Sequence, residues 1–345
     1  MSRQPRIAIT MGDPAGIGPE VIVGAWEEVL QRGQVQPLVL GHPEVLRRAV
    51  RLLGKRLEVV EIATPQQASP SRQQIPCLMC VDDAAAAALS GAASAVGGQA
   101  AYDALIRAAA LALAGDVDAI TTAPLSKKAL WDAGHSYPGH TELLAELCGV
   151  PEVAMMLYLP PGPALASPTG LGVIHVTLHQ SLRSAVEGLN SQAILKTARL
   201  AHGGLSDPEG NAPRLGVCAL NPHAGEDGLF GDEEARIILP AVEQGCREGM
   251  RLTGPLPADT LLVRARNGEF DGVVAMYHDQ GHIALKLLGM HSAVNVTLGL
   301  PIIRTSVAHG TAFDRAWRGV ADCGGMLAAL EMAGRMVRLR WERQS

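Results

Sequence analysis

The fold class predicted for this chain is α/β, and two observations predict it. Short β-branched runs alternate with longer helix-like segments along most of the sequence. The apolar content, 48% of residues, is built from Ala, Val, Leu and Ile, with aromatics at only 3%. Strands that alternate with helices of this length form a largely parallel sheet covered on both faces. At 345 residues, against roughly 100–200 residues per domain, there is room for one large or two medium domains and a sizeable core.

Taken in order, segments 6–10, 37–40, 57–62, 119–122, 154–159, 171–177, 215–220, 272–277 and 294–298 read as strands. The clearest helix is 98–114, Ala-rich, with Tyr102, Leu105, Ile106 and Leu113 near helical spacing and Gly115 as a stop signal. Segments 63–76, rich in Pro, Gln and Ser, and 160–170, with four prolines and two glycines, read as surface loops.

Composition excludes several classes. With 29 Lys and Arg against 34 Asp and Glu, the formal net charge is −5, which argues against a nucleic-acid partner. So few aromatics leave no stacking platform for single strands. The most apolar long window, 100–114, is broken by Asp103 and Arg107 and falls short of the ~20 residues that span a bilayer, so no membrane segment is expected. No export leader is legible at the start, and a cytoplasmic enzyme is expected. Six cysteines are too sparse for a disulfide scaffold, and the C-x-x-C of Cys77 and Cys80 is expected to be structural packing.

Three strand candidates close on histidines: 172–179 on His179, 215–223 on His223, and 272–278 on His278. In open α/β sheets ligands bind outside the carboxyl ends of strands, where such histidines can converge. Imidazoles suit Zn, Co, Ni or Fe, and three protein ligands with an open position mark a catalytic metal. The pattern alone leaves both ligation and simple hydrogen bonding open. The loop 221–231, broken by Pro222 and three glycines, gathers His223, Glu226 and Asp227. Segment 277–282 puts two imidazoles and an acid in six residues, with Lys286 eight beyond His278. The turn 12–20 follows a strand and opens a helix. Its glycines either admit a phosphate or dinucleotide to backbone N–H groups or serve a plain tight turn, and it is neither G-x-G-x-x-G nor a Walker loop. Asn295, Arg304 and His309 stand in otherwise apolar chain; the arginine either pairs with an acid or grips a carboxylate or phosphate.

Seven blocks in order, GDPAGIGPE (12–20), TAPLSK (122–127), PGHTE (138–142), NPHAGE (221–226), PADT (257–260), YHDQG (277–281) and VNVTLGLPIIRTS (294–306), resemble the 4-hydroxythreonine-4-phosphate dehydrogenase family, over about residues 6–325. The resemblance implies a two-domain α/β/α fold like that of isocitrate and isopropylmalate dehydrogenases. The expected division is 1–135 with 300–345 as one domain and 136–299 as the second. It implies that His179, His223 and His278 bind a divalent metal (Zn, Co or Mg), and that His140, Thr141, Lys286, Asn295 and Arg304 contact a small phosphorylated hydroxy acid. Gly12, Asp13, Gly16 and His309 are expected at an NAD or NADP site, and the active site is expected to be shared across a homodimer. The implied reaction oxidises the C3 hydroxyl of 4-phosphooxy-L-threonine to a 3-oxo acid that loses CO2 to give 3-amino-2-oxopropyl phosphate, on the route to pyridoxal phosphate.

Two positions depart from the biosynthetic pattern. His282-Ile283 replaces Leu-Pro after YHDQG, and Ala308 stands where an Asp usually precedes His-Gly-Thr-Ala. The first is more similar to a branch acting on D-threonate or D-erythronate 4-phosphate, and a further relative oxidises an aromatic cis-dihydrodiol dicarboxylate. A metal-dependent hydrolase using the same three histidines is the rival in another enzyme class. A metabolite-binding regulator is the weaker, non-catalytic alternative.

Overall fold

The structure is a computed structural model and describes residues 3–88, 90–137, 139–206, 211–290 and 292–344. It is α/β, as expected, and divides into two compact units, residues 1–152 with 300–341 and residues 153–299 with 342–345.

The first unit is built on β1 (Arg6–Thr10), β2 (Gln36–Gly41), β3 (Glu58–Ile62), β4 (Gln74–Met79), β5 (Ala119–Thr122) and the late β12 (Ile303–Val307), in the order β3-β4-β2-β1-β5-β12. All of these pairings are parallel. The pleat sends alternate side chains to two cores. Ile7, Ile9, Val39 and Ile303 pack with α1 (Gly18–Arg32), α2 (Pro43–Leu52) and α11 (Gly324–Glu342), whereas Ala8, Leu38 and Ile120 face α3 (Ala95–Leu113). The helix α4 (Lys127–Asp132) follows β5. The next helix, α5 (His140–Leu147), belongs to this unit rather than the second, where residues 136 onward were expected. The reason is burial: Leu143 and Leu144 complete the α3-side core. Cys77 and Cys80 are free and pack on opposite cores, and burial raises both thiols, Cys80 to about 12. The packing reading of the C-x-x-C holds.

The expected helix 98–114 starts three residues earlier, where the Ser94 side chain accepts from Gly97 N at 3.1 Å and caps it. Three strands were not legible. β4 lies partly inside the segment read as a loop, because Pro76 within it argues against a strand. β12 carries Arg304, Thr305 and Ser306, a polar run that reads as loop until its burial is known.

The second unit holds β6 (Ala154–Leu159), β7 (Leu171–His175), β8 (Arg214–Cys218), β9 (Arg251–Leu256), β10 (Gly272–Ala275) and β11 (Val294–Leu298). Their order is β11-β6-β7-β10-β8-β9. β9 is the third unread strand, masked by its Gly-Pro step. The strands β7, β10, β8 and β9 are parallel, but β6 runs antiparallel to both β7 and β11, so the sheet here is mixed. Segment 160–170 is irregular, as expected. The helices are α6 (Leu182–Glu187), α7 (Ser191–Leu205), α8 (Leu239–Arg247), α9 (Ala258–Arg266) and α10 (His278–Gly289). No helix among the described residues is long and apolar enough to cross a membrane.

Candidate active site

The second unit brings the strand-end histidines to one edge. β10 lies between β7 and β8 and parallel to both, so the chain segments that leave their carboxyl ends emerge side by side. His175 is the last residue of β7 and His179 follows four residues later. His278 opens α10 after β10, and His223 lies in the left-handed turn 222–228 after β8. The rings of His179 and His278 have centroids 6.1 Å apart. The His282 ring stacks on that of His278 at 3.8 Å, and its Nδ1 lies 3.0 Å from Nε2 of His175. Burial, reinforced by the neighbouring imidazoles, lowers His175 to about 3 and His282 to about 4, so both rings are neutral at pH 7. The Asp279 carboxylate lies 2.7 Å from Nδ1 of His278. Beside these groups a cavity of about 450 Å³ is lined by Leu178, His179, Leu182, Tyr277, His278 and Asp279 among others.

His223 is displayed by a strained turn. Residues 223–227 all have positive φ, from 43° to 83°, and four of the five are not glycine. A left-handed non-glycine residue costs roughly 1–2 kcal/mol, so four of them within five residues need support from outside the turn. The buried carboxylate of Glu234 supplies it, accepting from Leu220 N at 2.8 Å, Asn221 N at 2.7 Å and Asn221 Nδ2 at 3.0 Å. Burial works to raise Glu234, but the hydrogen bonds from Asn221 and Leu220 outweigh it and hold the carboxyl below its ordinary value.

Two imidazoles on one tetrahedral zinc, with Zn–N of about 2.0–2.1 Å, have ring centroids about 5 Å apart. The His179–His278 rings, at 6.1 Å, stand wider than that, while the imidazole donor set itself suits a divalent ion. Among the described residues no three His, Cys, Asp or Glu side chains stand close enough to enclose one. His223 reaches the same sheet edge from the neighbouring strand without closing on the pair.

The first unit carries a separate polar cluster. Arg304, on β12, is buried and donates from Nη2 to Thr122 Oγ1 at 2.6 Å. Burial lowers its guanidinium to about 10, against the opposing influence of Glu142. His140, the first residue of α5, is held well below its ordinary value by burial and then by the charge of Arg304, despite a backbone hydrogen bond with Ala123. Lys127 also bears on it. A neutral imidazole beside two cations is a setting that accepts an anion. Thr141 is half-buried in the first turn of α5, and Pro138 of the same motif lies outside the described residues. Lys286 sits two turns along α10 from His278, and Asn295 lies on β11 opposite Leu157 of β6.

The chain matches the family described as pyridoxal phosphate biosynthetic protein PdxA over residues 33–333. The chain belongs to the PdxA family. It is 47% identical to a D-threonate 4-phosphate dehydrogenase of Cupriavidus necator, over 97% of this chain and 98% of that one. It is 45% identical to a 4-hydroxythreonine-4-phosphate dehydrogenase of Geobacter metallireducens, over 98% and 97%. A crystal structure of a 4-hydroxythreonine-4-phosphate dehydrogenase from Klebsiella pneumoniae superimposes with a TM-score of 0.86 at 45% identity, covering 97% of this chain and 100% of that one. Membership in PdxA bears out the family, the fold class and the oxidoreductase expected from the seven blocks.

Within this PdxA chain the turn 12–20 is packed by the protein itself. A side chain on Gly12 would stand 2.2 Å from the Pro124 carbonyl oxygen, so glycine there lets the two backbones close together. Asp13 is buried, accepts from Ala15 N at 2.9 Å, and is raised to about 6 by burial against that bond. Gly16 N donates to the Asp13 carbonyl, and Glu20 accepts from the backbone of Trp317 and Gly319. His309 is exposed in the turn after β12. Thr122, Lys127, His175 and Glu234 were not singled out as functional by sequence reasoning. Thr122 and Lys127 lie within the TAPLSK block, whereas Glu234 has no sequence signal at all, since its role exists only once β8 and the following turn are folded against it.

Proposed function

We propose that the chain is a divalent-metal-dependent NAD(P) dehydrogenase, acting in the cytoplasm on a phosphorylated four-carbon hydroxy acid. The substrate we put first is 4-phosphooxy-L-threonine, oxidised at C3 to 2-amino-3-oxo-4-phosphooxybutanoate, which loses CO2 to give 3-amino-2-oxopropyl phosphate. The observation that carries this is the placement of His179, His278 and His223 at the carboxyl ends of three adjacent parallel strands.

These three histidines would hold the ion, which when bound supplies polarisation of the substrate's reacting oxygen. The protein's own groups do the rest. Arg304 and Lys286 grip the phosphate, the first as a buried guanidinium preset by Thr122. His140, neutral in its setting, and Thr141 hydrogen-bond the substrate, and Asn295 orients it. The dinucleotide, as hydride acceptor, is assigned to the side of the first unit bearing Gly12, Asp13, Gly16 and the exposed His309.

The reading of D-threonate or D-erythronate 4-phosphate as substrate comes second and is favoured by His282 and by the Cupriavidus relative's name. A panel of both phosphorylated acids and the aromatic cis-dihydrodiol dicarboxylate, followed at 340 nm with NAD and NADP after chelation and reloading with Zn, Co or Mg, separates them. Reduction without added metal, or with none of the phosphorylated acids, overturns the proposal.

A homodimer with a shared active site completes it. Ile283 and Leu287 on α10 and Met290 at its C-terminal cap, exposed at 57%, 83% and 63%, form an i, i+4, i+7 stripe along the helix that bears His278 and Lys286. A stripe of this kind on a functional helix is suited to a second copy of the chain.

A further inference from the structure

We propose that His282 is a positioning residue for His278: it fixes the plane of the His278 ring and is itself locked by His175. The inference rests on the reading of His278 as a metal ligand.

His278 and His282 are four residues apart on α10 and so share one face of the helix. Their rings are nearly parallel, 12° between planes and 3.8 Å between centroids. The last torsion of a histidine side chain is broad and roughly two-fold, so packing around the ring has to define its plane. For His278 that packing comes from two directions. Asp279 engages Nδ1 at 2.7 Å, which leaves Nε2 as the nitrogen for a ligand. His282 covers one flat face of the ring.

His282 can do this only because it is held in its turn. It is 6% exposed, and its Nδ1 lies 3.0 Å from Nε2 of His175, which is 2% exposed at the end of β7. The His175 ring fits beneath α10 because residue 281 has no side chain: a Cβ on Gly281 would stand 2.7 Å from His175 Nε2 and 2.4 Å from Val173 Cγ1. Thus β7 grips His282, and His282 sets His278 through a contact that spans one helical turn. Burying two imidazoles where aliphatic side chains would pack carries a desolvation cost. A ring stack is a geometry that aliphatic side chains cannot supply.

The test is zinc binding to the purified full-length chain, read by competition with a chromophoric chelator, together with the visible spectrum of the cobalt-loaded protein. Supporting groups around a metal ligand typically contribute about 10–100-fold in affinity. His282→Leu is expected to lose at least about tenfold and to change the cobalt spectrum, while circular dichroism shows it folded. His282→Phe, which keeps a flat ring, is expected to recover most of the affinity. Should His282→Leu misfold, Gly281→Ala, which displaces His175 without touching a ligand, is expected to show the same loss. A folded His282→Leu with wild-type affinity and spectrum, where His278→Ala has lost binding, overturns the positioning role alone. If His278→Ala binds zinc as tightly as the wild type, the metal reading falls and this inference with it.

Discussion

Arg304 is a buried cation that donates to a hydroxyl, Thr122 Oγ1. A charge-assisted contact is worth roughly 1.5–3 kcal/mol. Arg304→Met is therefore expected to lower kcat/KM for a phosphorylated four-carbon acid by about tenfold or more and to spare its unphosphorylated analogue. Equal losses for both would show that the guanidinium grips the carboxylate they share. Asp13 makes a pH prediction. Its folded pKa of about 6 lies above the ordinary 3.8, so the native state favours the proton. This contribution is full below about pH 3.8 and is lost as pH rises through about 6, where the buried carboxylate opposes folding by about 3 kcal/mol. Asp13→Asn should thus raise the urea midpoint more at pH 8 than at pH 4.5; a gap independent of pH would contradict the shift. At this scale much was legible: His179, His223 and His278 stand out by position alone. His175 and Glu234 act through partners 107 and 14 residues away in sequence, a separation that no local pattern encodes.

The element that makes the heaviest demand on its neighbours is the turn after β8, with residues 223–227 in left-handed backbone. Because Glu234 holds its base by three hydrogen bonds, Glu234→Ala should release the turn. Faster proteolysis between 221 and 231 and weaker zinc binding are expected, with far-ultraviolet circular dichroism unchanged. A cleavage rate equal to the wild type would mean the turn holds itself. His223→Ala, by contrast, should leave the turn intact and abolish stoichiometric metal and turnover. Full activity of that variant in metal-free buffer would remove His223 from the site. Strands such as β1, β5, β6 and β11 were read to the residue, because apolar runs bounded by turn residues have few alternatives. The strands β4, β9 and β12 were missed because Pro76, the Gly254-Pro255 step and the polar Arg304–Ser306 run are each adverse locally, and pairing within the sheet overrides them.

For the whole molecule the question is what α10 meets. Leu287→Lys, at 83% exposure, should shift light scattering from dimer toward monomer and remove activity without unfolding the chain. A wild-type chain that is monomeric and fully active refutes the shared site. Mixing His278→Ala with Lys286→Ala chains adds a direct check, since recovered activity is expected only if the two positions serve one site from different subunits. The sequence by itself determined the α/β class, the order of most elements and the strand-end histidines, because hydrophobic periodicity and turn chemistry are local properties. Seven ordered blocks also carried the family. Only the tertiary structure decided that β7, β10 and β8 are neighbours, that α5 joins the first unit, and that His282 stacks on His278 with His175 behind it. These are consequences of sheet order and burial, which depend on chain segments far apart in sequence closing on one another.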